Sequence, residues 1–298
     1  MRTETKAVFS IMIGACGWGC TGFFVNKLSQ IGLSPMQIAA IRVGSGAGIF
    51  FVYVLLTKRV AFSFALKDIG LFVGTGVLSL SLFTWSNFNA ISLSSMSVAS
   101  VLLYTSPVFV LILAAVLFKE KVTPRKVGAV VCTFAGCFLV SGVLESGEAV
   151  VAPKAVMFGV GSGLAYALYT IFARLALAKY SYETVIVYTF ILSTSVLLPQ
   201  SKLWEQLPVL MNNYTWLFCL AFGLISTVLP YLLYTKGLKH VEASKAAVLA
   251  TCEPIVATII GISVFHDAIT PLKFLGIAMI IAAVLSLSLS SPRRLVKT

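Results

Sequence analysis

Charge is scarce in this chain, and acid scarcer still. Of 298 residues 11% are charged, with 10 acidic side chains against 22 basic ones and 2 histidines. That scarcity excludes several kinds of function. Enzyme chemistry inside a membrane needs a nucleophile with a base, or a metal cluster. The long apolar stretches contain no histidine and a single carboxylate, Glu253. His240 and His266 have no neighbours at metal-ligand or catalytic spacing. The sequence has no Gly-x-x-x-x-Gly-Lys-Ser/Thr loop and no room between its apolar stretches for a nucleotide-binding domain, so ATP-driven pumping would require a separate chain. The cysteines (16, 20, 132, 137, 219 and 252) all fall in apolar stretches and read as small packing residues. Cys16 and Cys20 share a helix face but lack the further ligands that a metal site needs. Exposed aromatics interleaved with a basic stripe, the mark of nucleic-acid binding, are also missing.

What is present is apolar side chain, 59% of the sequence. A soluble domain of this length has too little interior to hide that much, so lipid is the expected solvent. A helix needs about 20 mostly apolar residues to cross a core of roughly 30 Å. Ten stretches qualify, at roughly 7–26, 35–57, 69–90, 95–118, 126–144, 155–174, 184–200, 214–236, 243–265 and 272–291. Backbone groups in lipid must be satisfied within the segment, which predicts helices; the alternation of barrel strands is absent. The first stretch is too long for a secretory signal and no Ala-x-Ala site follows it, so it is expected to be retained.

Basic residues are placed unevenly about these stretches. With the N-terminus inside, Lys27, Lys154, Lys202 and Lys273 are the four on the outer side, against seventeen on the inner side. That bias predicts cytoplasmic termini.

The sequence also repeats itself. The stretch from Asn89 to Pro107 has a partner from Lys236 to Pro254 at a constant offset of 147, so that Ser97 falls on Ser244. The register continues through Phe118 and Phe265, Glu120 and Asp267, and Thr123-Pro124 and Thr270-Pro271. Two halves follow, 1–145 and 155–298, joined by the linker-like stretch 145–154. Five spans per half would place the second copy upside down relative to the first, the architecture from which alternating-access sites are built. The expected fold is therefore an all-α membrane protein of ten transmembrane helices in two inverted five-helix repeats.

Glu253 is the sharpest candidate for function. A charge at mid-bilayer costs roughly 2.5–3.5 kcal/mol on insertion scales, so it must face protein or water, where it is placed to exchange a proton. Ala246, Ala250, Glu253 and Ala257 fall on one face of a continuous helix. Pro107 and Pro254 occupy matching mid-span positions and predict kinks. Pro230 predicts a third kink, with Phe83 at the matching position in the first half. Arg42 and Lys245 are candidate contacts for an anionic group, although both are also read as snorkelling towards an interface. Gly44/Gly48, Gly70/Gly74 and Gly159/Gly163 read as close helix contacts.

These features together resemble the EamA family of the drug/metabolite transporter superfamily. The resemblance rests on Trp18-Gly19, Ser106-Pro107-Val108, Glu253-Pro254-Ile255, and the acidic Glu120 and Asp267, each followed by Thr-Pro and a glycine. It implies a secondary transporter, not an enzyme, that carries a small metabolite, an amino acid or related organic solute, across the cytoplasmic membrane, with export the expected direction. It needs no cofactor; protons are a candidate coupling ion. By the same resemblance Trp18, Trp85, Tyr104, Tyr166, Tyr231 and Glu253 would border a central cavity. The alternative is a lipid-headgroup flippase or a structural partner of one, which would need no catalytic cluster either.

Overall fold

The computed structural model describes residues 2–57, 62–144, 151–212 and 214–289, and among these every regular element is helical. Lys58, Arg59, Arg293, Arg294 and Lys297, counted above for orientation, lie outside the described residues, as does most of the 145–154 linker. Among the described residues nine helical stretches are long and apolar enough to cross a membrane. Four come first: α1 (Thr3–Gln30), α2 (Pro35–Thr57), α3 (Leu66–Leu93) and α4 (Met96–Phe118). After α5 (Pro124–Val140) come α6 (Pro153–Leu177), α7 (Tyr182–Ser201), α8 (Thr215–Leu238), α9 (Ala243–Phe265) and α10 (Pro271–Ser288). At 17 residues α5 is shorter than the others, about 26 Å at the usual rise. The sequence reading ran that stretch to 144. The helix stops earlier because Ser141 Oγ turns back onto Phe138 O at 2.8 Å and Gly142 takes a φ of 75°, a left-handed backbone that glycine adopts without strain.

Local chemistry sets the helix ends. Pro35, Pro124, Pro153 and Pro271 each open a helix, where a missing N–H costs nothing. The Thr123 and Thr270 hydroxyls accept from Lys126 N and Lys273 N, both at 3.3 Å. Lys119 and His266 close α4 and α9 in left-handed conformations with φ of 53° and 58°. The next N–H in each case, on Glu120 and Asp267, reaches back to Ala114 O and Gly261 O. Apart from Pro35 and Pro153, these residues pair at a separation of 147.

The same offset relates the interruptions of α4 and α9 and the ends of the π-helical stretches of α3 and α8. α4 is two helices, Met96–Leu103 and Ser106–Phe118, and α9 is Ala243–Ala250 and Glu253–Phe265. α3 carries a π-helical stretch at Gly74–Ser81 and α8 one at Leu224–Val228.

Packing between helices follows the same symmetry. α1 packs on α8 and α9, while α6 packs on α3 and α4; α2 packs on α8, while α7 packs on α3; α4 meets α9 and α5 meets α10. Exchanging each helix in these pairs for the one five places away returns the same pairs. Gly76 and Gly223 serve matching contacts. A Cβ at Gly76 would lie 2.9 Å from Thr189 O on α7, and one at Gly223 would lie 2.7 Å from Gly46 N on α2. Large apolar side chains such as Val116, Val131 and Phe274 remain exposed around the bundle, as a lipid-facing perimeter requires.

Candidate functional site

A small cavity lies where α1, α3, α6 and α8 converge, lined by Trp18, Ser79, Leu80, Phe83, Tyr166, Tyr169, Thr170, Tyr231 and Tyr234. Its free space is that of about one water molecule. Trp18 is its hub. The indole meets Tyr231 and Tyr234 at centroid distances of 5.3 Å and Tyr166 at 6.1 Å. Tyr169 stands edge-on to Tyr231 at 4.8 Å, and Phe83 edge-on to Tyr166 at 5.5 Å, geometries that the ring quadrupoles favour. Two hydroxyls of this cage are bonded to threonines. Tyr169 pairs with Thr235 at 2.6 Å and Tyr234 with Thr170 at 2.7 Å. The cavity is therefore faced mainly by ring surfaces.

Glycine on α1 brings the cage together. The helix turns at Cys20, between Arg2–Gly19 and Thr21–Gln30. A Cβ on Gly17 would lie 2.7 Å from Ile225 O, and one on Gly19 would lie 2.7 Å from Glu253 O. Trp18, between them, is thus pressed against the π-helical stretch of α8 on one side and the break in α9 on the other.

The two breaks are built alike. In α4 the Thr105 hydroxyl donates to Leu102 O at 2.6 Å, and in α9 Thr251 donates to Val248 O at 2.5 Å. Pro107 and Pro254 sit in the first turn of the helix after each break, so the chain interrupts about three residues before each proline rather than bending at it. Pro230 likewise opens the α-helical stretch that follows the π-helical residues of α8. The matching region of α3 has a π-helical stretch without any proline.

Glu253 starts the second half of α9, half-buried, and Tyr166 OH donates to its Oε2 at 3.4 Å. Arg42, also half-buried, is within electrostatic reach of Glu253 and Tyr231, and no ion pair holds it among the described residues. Tyr104 is half-buried against the main core, within electrostatic reach of Glu253 but outside the cavity lining.

Three readings from the sequence need correction. Trp85 does not reach the cage; it is 42% exposed and stands edge-on to Phe158. Phe83 lines the cavity instead, one helical turn beyond Ser79 on the same face. Lys245 does not snorkel and is no free anion contact, for it is buried and its ammonium meets Glu4 at 3.0 Å. The small-residue face of α9 is interrupted: Ala246 and Ala250 are buried and Ala257 is exposed, since the break at Thr251–Cys252 rotates the second half. Of the glycine pairs, Gly159 and Gly163 sit tightly on Leu102 and Thr105, whereas Gly48 and Gly70 have open space beside them.

The EamA-like transporter family matches residues 5–142 and again 153–289. An uncharacterized transporter of Archaeoglobus fulgidus is 28% identical over 285 residues, covering 93% of this chain and 94% of its own. The Bacillus subtilis uncharacterized transporter YwfM is 24% identical over 302 residues, covering 99% and 97%. The Salmonella typhimurium uncharacterized inner membrane transporter YicL is 24% identical over 301 residues, covering 99% of each chain. A solved structure superposes with a TM-score of 0.77 at 18% identity, over 94% of this chain and 95% of the other, a likeness of fold. Matched twice and nearly end to end, the chain belongs to the EamA-like transporter family.

Proposed function

We propose that this protein is a secondary transporter that exports a small metabolite, an amino acid or related organic solute, across the cytoplasmic membrane by alternating access. In this reading the halves 1–145 and 155–298 are inverted copies, α5 crosses beside α10 as a tenth span, and both termini are cytoplasmic. The observation that carries it is the exchange of neighbours between the halves, with the aromatic cavity at their junction. Two copies that pack reciprocally have two equivalent arrangements, and rocking between them exposes a shared site to either side in turn. A cavity with room for about one water is a closed conformation, so loading requires the cage to part.

The polar groups suit the proposed cargo. Once the cage parts, Arg42 and Glu253 offer one group of each sign beside aromatic walls, a combination that matches a solute with both charges. Glu253, held by Tyr166 next to the α9 break, is placed to release a proton when the site opens to water. Untargeted metabolite profiling inside and outside cells that overexpress the chain tests the function. Accumulation of one solute in the medium identifies cargo and direction; an unchanged profile rejects export. In proteoliposomes Glu253→Gln abolishes proton-coupled flux, and coupling that survives the substitution rejects the proton role.

A further inference from the structure

The repeat carries over only part of its charge: Glu120 and Lys126 have counterparts in Asp267 and Lys273, whereas Glu4, Glu242 and Lys245 fall on Val151, Ser95 and Val98. All four ion pairs among the described residues lie at one end of the bundle, the end carrying the start of α1 and the α2–α3, α4–α5, α6–α7 and α8–α9 connections. Glu120, in the α4–α5 turn, is the centre. Its carboxylate accepts from Ala243 N at 2.7 Å, Ser244 N at 3.2 Å and Ser244 Oγ at 2.5 Å. Lys126 bridges Glu120 at 3.4 Å and Glu242 at 2.9 Å. Arg174 on α6 donates to Leu238 O and Val241 O in the same α8–α9 turn. One turn further along, Lys245 meets Glu4 of α1.

At the opposite end the positions matching Glu242 and Lys245 are uncharged, while Ser244 is kept as serine. Ser95, Ser97 and Val98 stand where Glu242, Ser244 and Lys245 stand. Asp267, the counterpart of Glu120, is exposed, and Ser95 caps its own helix through Val98 N.

The segment that these ties hold is Ala243–Ala250, eight residues that are all buried. Its first turn is gripped by Glu120 and Glu4, and its last residue adjoins the break that leads to Glu253. A short rigid rod, clamped at one end and jointed at the other, is an element that can pivot.

We propose that Glu120–Lys126–Glu242 and Glu4–Lys245 form one ionic latch that keeps this end of the bundle shut, and that its release lets Ala243–Ala250 swing away from α1 and α4 and opens the cavity towards that end. The proposal rests on the transporter reading and adds to it an ionic closure at one end of the bundle. The two ties grip the same rod, one from the α4–α5 turn and one from α1, so losing either loosens both.

Hydrogen–deuterium exchange of the full chain in lipid nanodiscs, with no solute added, tests this. Glu4→Gln speeds exchange about tenfold in 243–250 and also in 118–126, where Glu4 makes no contact; Glu120→Gln does the same in 243–250 and in 3–12. The reversed pair, Glu4→Lys with Lys245→Glu, returns exchange to the native rate. Exchange that rises only beside the substituted residue, or nowhere, overturns the latch. Should Glu120→Gln fail to fold, Glu4→Gln and the reversed pair still decide. Because no solute is involved, a failed latch leaves the transporter reading standing, and missing export leaves the latch standing.

Discussion

At the scale of single residues, close contact decides more than chemistry does. Gly19→Val places new carbons against Glu253 O and Val256, each 2.7 Å from where a Cβ would sit. Overpacking of that kind costs about 1–3 kcal/mol, so the variant melts at a lower temperature in detergent. Gly22→Ala, one helical turn away with nothing within 4 Å, leaves the midpoint unchanged or slightly raised, and thermal unfolding of the two side by side checks the contrast. The sequence made part of this scale legible. Glu253 stood out as the one carboxylate in an apolar stretch, and Trp18 through its Trp-Gly pair. The partner of Lys245 did not, because Glu4 lies 241 residues away and no local pattern records a tie across the bundle.

At the scale of elements, repetition makes equal predictions for unequal sequences. Thr123→Ala and Thr270→Ala each remove the same cap from the same first turn. Each costs about 1 kcal/mol, and the two destabilisations, measured by denaturation in mixed micelles, agree with one another within error. The helix starts were readable because proline and threonine act locally. The α4 and α9 interruptions were visible only through their prolines, and their location three residues earlier depends on where a threonine hydroxyl finds a carbonyl. The π-helical stretches of α3 and α8 were not readable at all. Gly74–Ser81 and Leu224–Val228 have no proline inside them and no broken periodicity; close approach of α7 and α2 accompanies them. Phe83, at i+4 from Ser79, faces Tyr166, while Trp85 stands against Phe158.

At the scale of the whole molecule, orientation is the test that matters most. Single cysteines replacing the exposed Lys27 and Lys154 react with a membrane-impermeant maleimide on intact cells, and those replacing the exposed Lys67 and Lys121 react only after lysis. Reaction of Lys121→Cys and Lys154→Cys from one side would remove the inverted arrangement. The duplicated halves were legible because an offset of 147 persists without a gap from Asn89 to Pro124, but the reciprocal pairing of helices was not, since it depends on contacts between distant segments. That pairing has a consequence for biosynthesis. α1 leaves the ribosome well before the surface it is shaped for, which belongs to α8 and α9 and begins at Thr215 and Ala243. Until then Gly14, Gly17 and Gly19 have no backbone to approach, and the newborn helix must wait in the bilayer, or in the insertion machinery, for a neighbour not yet translated.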